Sequence, residues 1–269
     1  MSLDLTRILE GWDFSPDDVT TRLVEGDDGR QKIQLRLDLG VLQLEMNGRP
    51  DGKQIDGEAS LLQFHQRQQR EHDAANPDGV PYQLETEDCT ALMREGVQFY
   101  HRYICFWQLG RYELCARDTK RNLELFRFVR SHAKYDRDKL QFDQWRPYVT
   151  MMHTRAVATP LIELRQWEAA LSVIDAGIEG INRFLQDYGQ EEQAQRVGEL
   201  LFLGRWRKEV LKESSPDGED DDSEADPIAE LHGELDKAIA DERYEDAAQL
   251  RDEITRLENP PPPSHPGGH

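Results

Sequence analysis

The sequence predicts a mainly helical protein that opens with a small antiparallel β meander and closes with a separate antiparallel helical hairpin. Three patterns carry that prediction. Before residue 47 apolar and polar residues alternate, the period of a half-buried strand. From about residue 90 to 211, apolar and aromatic residues recur at helical spacing. Residues 226–258 then repeat a helical pattern beyond an acidic run containing Gly, Ser and Pro.

Residues 1–75 read as a short helix, the meander and one further helix. Val19–Val24 is apolar at intervals, and Asp28-Gly29 supplies a hairpin turn. Ile33, Leu35 and Leu37 alternate with Gln34, Arg36 and Asp38, and after Gly40 so do Leu42, Leu44 and Met46. Such a small sheet is marginal alone, and a helix at about 57–74 is expected to cover it.

The helical region 90–211 begins with Phe99, Tyr100, Tyr103, Phe106 and Trp107 on one face. A second helix is expected from about Glu113 to Val129, followed by a charged loop. Trp145, Tyr148, Met152 and Ala156 open a third, which Pro160 should kink or interrupt. Leu171, Ile174, Ile178, Ile181 and Leu185 mark a fourth, and a fifth runs from about Glu191 to Leu211. Leu109-Gly110-Arg111-Tyr112 has an echo in Leu164-Arg165-Gln166-Trp167, where one helix ends and an aromatic residue starts the next. This joint resembles that of tetratricopeptide repeats, although the spacing of 55 residues is not their 34.

The net charge of −20 is concentrated at the C-terminal end. Residues 213–226 carry eight acids and no base, and residues 227–258 carry ten acids against four bases. That field repels phosphate, so direct nucleic-acid binding is not expected. Residues 213–225 are expected to act as a disordered acidic linker, and the proline-rich residues 259–269 as a disordered tail. Three cysteines without a CxxC pair argue against a zinc ribbon or a disulfide framework. No signal-type leader and no apolar run of 18 residues occurs, so a cytoplasmic location away from membranes is expected.

His101, Arg102 and Tyr103 read as an exposed face beside the core stripe. Met151-Met152-His153 reads as core, in preference to a soft-metal site. Cys105 and Cys115 read as reduced packing residues. The tail histidines His265 and His269 lack preorganised metal geometry. Arg111, Arg117, Lys120 and Arg121 form a basic stretch open to phosphate or to the chain's own acidic linker. No pair of carboxylates is placed with a nucleophile, so no catalytic residue and no cofactor is expected.

Residues 226–258 read DPIAELHGELDKAIADERYEDAAQLRDEITRLE. Asp226 suits an N-cap and Pro227 the first helical position. Ile228, Leu231, Leu235 and Ile239 form one stripe. Tyr244, Ala247, Ala248, Ile254 and Leu257, flanked by Leu250, supply the facing helix. The spaced leucines followed by Tyr-Glu-Asp-Ala-Ala-Gln-Leu-Arg-Asp-Glu-Ile resemble the UvrB/UvrC (UVR) motif of bacterial proteins, a helical hairpin that docks onto other proteins. The resemblance implies that Leu231, Leu235, Ile239, Tyr244, Ala247, Ala248, Leu250 and Ile254 form or support a docking surface. The simpler alternative is a helical cap or a solvated coiled coil.

The Gly-Lys-Thr phosphate loop of UvrB is missing, as are CxxC metal sites. The expectation is therefore a non-enzymatic adaptor that docks protein partners through this hairpin and through the helical-repeat body, the partner being UVR-bearing in one version and a second copy of this chain in another. The rival readings are an accessory factor of nucleotide excision repair, and an enzyme with its site between the meander and the helical body.

Overall fold

The computed structural model describes residues 4–16 and 18–214. The chain divides into two compact units, Met1–Pro160 and Leu161–His269.

In the first unit a short α1 (Thr6–Leu9) precedes β1 (Thr21–Glu25), β2 (Gln31–Leu37) and β3 (Gly40–Glu45). They form an antiparallel sheet in the order β1-β2-β3. Leu23 pairs with Ile33, and Ile33 with Leu44, which keeps the apolar residues on one face. Gly29 turns the first hairpin with a φ of +70°.

The alternation predicts one buried face, but β2 is covered on both. Ile33 and Leu35 are buried, and so are Lys32 and Gln34. Lys32 pairs with Asp28 and Glu45, while Gln34 accepts from Arg22 and donates to Gln43. The Arg22 guanidinium lies 3.8 Å over the Trp12 ring and donates to the Ile8 carbonyl. Arg36 donates to the Trp12 carbonyl. These polar side chains thus carry the N-terminal segment on the outer face.

α2 (Leu61–Ala75) starts later than the sequence suggests, where the Ser60 hydroxyl accepts from the Gln63 N–H. α3 (Thr86–Gln108) opens with a capping box of Glu85 and Asp88. α4 (Tyr112–His132) packs back against it. Gly96 permits close approach: a Cβ there would sit 3.1 Å from Leu125, and Asn122 donates to the Gly96 carbonyl. Leu84, Cys89, Leu92, Leu125, Phe126 and Val129 build the core between them. Each fully buried Leu, Val or Phe contributes about 1.5–3 kcal/mol of transfer free energy.

The charged loop after α4 contains a further helix, α5 (Asp136–Asp143). Its own sequence is a poor predictor because tertiary contacts hold it. Phe142 is fully buried against Phe126, and the buried Asp138 accepts from Thr86. α6 (Arg146–Glu163) runs through Pro160 without interruption. Pro160 removes only the N–H that would bond to Ala156, and just three residues of helix follow it.

The second unit contains α7 (Trp167–Asp187) and α8 (Gly198–Ser214). The predicted fifth helix is split, since Glu191–Arg196 forms a 3₁₀ segment that buries no side chain. α7 buries Ala170, Ile174, Ile181 and Leu185, and Leu203 and Val210 of α8 are buried.

The repeated joint has one geometry. Gly110 has a φ of +65° and Arg165 a φ of +57°. Arg111 N–H donates to the Phe106 carbonyl, as Gln166 N–H does to Leu161, both at 2.8 Å. Gly110 bonds back to Trp107, and Arg165 to Ile162. Both are Schellman closures, one made by glycine and one by arginine. The shared turn is local, and the tetratricopeptide likeness expected of residues 90–211 is not confirmed by it.

Candidate functional site

The meander meets the helical hairpin through a cluster of buried charge. Arg102 sits in the apolar stripe of α3 and is 1% exposed. Its Nε donates to Asp118 Oδ2 at 2.6 Å and its Nη2 to Oδ1 at 3.1 Å. This is the two-pronged arginine–carboxylate geometry. Nη1 then reaches the end of β3 and the loop after it, donating to the Glu45 and Gly48 carbonyls at 2.9 Å each. Burial lowers the Arg102 pKa from its ordinary value, and Asp118 opposes that.

Arg117 adds to this clamp. It donates to Asp118, to the Asn47 side chain and to the Met46 carbonyl. A second carboxylate, Glu95 of α3, gathers four partners. The Leu61 and Leu62 N–H groups of α2 donate to it at 2.7 and 3.2 Å. Arg121 of α4 donates to it, and Arg49 lies 3.3 Å away. Glu95 therefore occupies the anion position at a helix N-terminus. The Arg102 and Arg121 guanidinia lie 4.8 and 4.1 Å from the Phe99 ring. Burial pulls the Arg121 guanidinium down to about 10, leaving it charged at neutral pH.

Several sequence expectations change here. Arg102 and Tyr103 are interior residues, not an exposed face, because Asp118 compensates the Arg102 charge where the two stripes touch. Arg117 and Arg121 are committed to internal partners, which leaves the exposed Arg111 and Lys120 of the predicted basic stretch. The signal was present: Arg102 falls among Phe99, Tyr103 and Phe106, and Asp118 lies beside Cys115 and Thr119. Opposite charges inside two adjacent apolar stripes must pair.

Met151 and Met152 are buried, and His153 Nδ1 lies 3.0 Å from the Thr119 hydroxyl. Cys89, Cys105 and Cys115 are buried thiols, pushed by burial to about 12, 11 and 12. A shallow polar cleft of about 340 Å³ lies over the sheet's outer face, lined by Arg7, Arg22, Gln34 and Gln43 among others. Among the described residues no helix is long and apolar enough to cross a membrane.

The predicted docking residues Leu231, Leu235, Ile239, Tyr244, Ala247, Ala248, Leu250 and Ile254 lie outside the described residues. The same holds for residues 215–225 of the acidic linker and for the proline-rich tail, whereas Glu213 and Ser214, expected in the linker, are the last residues of α8. Comparison with family models decides what their segment is. Residues 226–259 carry a UvrB/uvrC motif. No curated protein and no solved structure matches the chain. UVR motifs are commonly involved in protein–protein or DNA-repair interactions, which fits protein partners in general.

Proposed function

We propose that this chain is a non-catalytic adaptor that captures another protein through its C-terminal UVR motif. The observation that carries this reading is the motif match over residues 226–259. The docking surface is the stripe of Leu231, Leu235 and Ile239 with the facing Tyr244, Ala247, Ala248, Leu250 and Ile254. A segment of 34 residues buries too little apolar area to be stable without covering its stripe. The acidic run before it tethers the motif and favours a partner with a basic surface. A UVR-bearing protein and a second copy of this chain are two candidate partners.

The first unit supports the non-catalytic part of the reading. Its buried acids are tied up in pairs: Asp118 with Arg102, and Glu95 with Arg49, Arg121 and two backbone amides. A cytoplasmic, reducing setting is supported by three cysteines held as interior thiols. The second reading, an accessory factor of nucleotide excision repair, is favoured by the motif's occurrence in repair interactions.

The test compares capture from native cytoplasm by the wild type and by Leu235→Asp/Tyr244→Asp. Specific partners are expected with the wild type alone, displaced by a synthetic peptide of residues 226–259. Their identity separates a repair subunit from other proteins and from self-association. An unchanged partner set in the double variant contradicts the reading.

A further inference from the structure

Of the fifteen residues of α2, two are buried: Leu62 and His65. A helix that buries so little depends on a few specific contacts and opens before its neighbours do. Its N-terminus is held by Glu95. Its middle is held by Tyr82, whose hydroxyl lies 2.8 Å from His65 Nδ1. The Tyr82 N–H donates to Asp73 further along α2 at 3.1 Å. Two residues on, Leu84 is anchored to the end of α4, donating to His132 and accepting from Lys134. The hairpin thus fixes Tyr82, and Tyr82 fixes α2.

The surroundings of His65 make this contact sensitive to protons. From α3, Asp88 and Glu95 face it. From the connection comes Tyr82, whose phenol burial pushes up to about 12 and so keeps neutral. From α4, His132 lies beyond the Tyr82 ring at 6.4 Å. On α2 itself, His72 packs against the same ring at 5.8 Å, near Asp73. Burial lowers the pKa of His65 more than the two acids raise it. The imidazole is therefore neutral when α2 is docked and gains a proton more readily once α2 is free.

We propose that α2 is an acid-released flap: protonation of His65 undocks α2 from Tyr82 and uncovers the apolar surface at Cys89 and Leu92, while α3 and α4 stay folded. Leu62 belongs to the same apolar cluster as Cys89 and Leu92, so its departure opens that surface. The stabilisation is complete above the ordinary imidazole pKa and is lost as pH falls below it.

Hydrogen exchange on the full chain, corrected for intrinsic rates, tests the flap between about pH 8 and about pH 5. The α2 amides are expected to lose protection several-fold more than those of α3 and α4. His65→Gln, which keeps a hydrogen-bonding group for Tyr82, should abolish that excess. His72→Gln and His132→Gln should leave it intact. Tyr82→Phe should loosen α2 at both pH values. The proposal is overturned if α2 and α3 lose protection in parallel, or if the excess persists in His65→Gln. It is equally overturned if the excess disappears in His72→Gln or His132→Gln, or if α2 in Tyr82→Phe is as protected as in the wild type.

Discussion

In the first unit Arg102 and Asp118 meet where the stripes of α3 and α4 touch, and the sheet hangs on the same guanidinium. In the second unit α7 presents Ile174, Ile181 and Leu185 to its neighbours, and its ion pair with α8, Asp175–Arg207, lies in partly exposed positions. One unit spends buried charge to fix a geometry; the other packs an apolar stripe. Apolar contact is forgiving about register, whereas a guanidinium with four acceptors is not. The difference explains how a three-stranded sheet, marginal by itself, is seated in one orientation on a helical hairpin.

Perturbations of each unit separate these two ways of packing. The largest effect is expected from Arg102→Met, which leaves the buried Asp118 with Arg117 as its remaining charged partner and should cost about 3–5 kcal/mol in urea unfolding. Adding Asp118→Leu should recover much of that loss. If the double variant is no better than the single, the pair is not the coupled unit described here.

In the second unit Ile174→Ala, at a fully buried position, should cost about 2–5 kcal/mol. No partner substitution of opposite polarity should rescue it. The loss should appear in exchange of the α7 and α8 amides and spare those of β2.

Acid should act on the units with opposite signs. In the first, burial holds His101 and His153 below the ordinary imidazole pKa. Their contribution is complete above that value and lost as pH falls below it, because the unfolded chain binds more protons. In the second, residues 161–214 contain no histidine, and burial raises the Glu199 carboxyl. Its contribution is present at low pH and lost as pH rises through the folded pKa. Lowering the pH from neutral towards 5 (about the lower end of imidazole titration) should therefore weaken the first unit and spare or strengthen the second. Unit-resolved exchange checks this, and parallel weakening would contradict it.

The smallest effects belong to the joints and the surface. Arg165→Gly relieves a left-handed non-glycine residue and should gain up to about 1 kcal/mol, whereas Gly110→Arg should lose about as much. Asp175→Asn should change stability by less than about 1 kcal/mol, with the difference vanishing in high salt.

The strands, the first hairpin turn and the stripes of α3, α4 and α7 were legible because each follows from the local periodicity of its own residues. The two equivalent joints were legible as a repeated four-residue phrase, before Gly110 and Arg165 proved to share one backbone turn. α5 was not, because Asp136–Asp143 owes its helix to Phe126 and Thr86, both far away in sequence. The charged clamp was half legible. Arg102 and Asp118 visibly interrupt apolar stripes, but the Glu45 and Gly48 carbonyls that complete the clamp bear no side-chain signature. His65 was missed for a related reason, since nothing nearby in sequence announces that Tyr82 returns to meet it. At the docking site, the motif itself was legible as a pattern of leucines followed by Tyr-Glu-Asp-Ala-Ala.

Transplanting the UVR motif shows whether it carries partner capture. Residues 213–259 fused to an inert carrier should retrieve the same proteins as the full chain, and a chain ending at residue 214 should retrieve none of them. A fusion that captures nothing, with a truncated chain that keeps every partner, would place docking in the helical units and contradict the account.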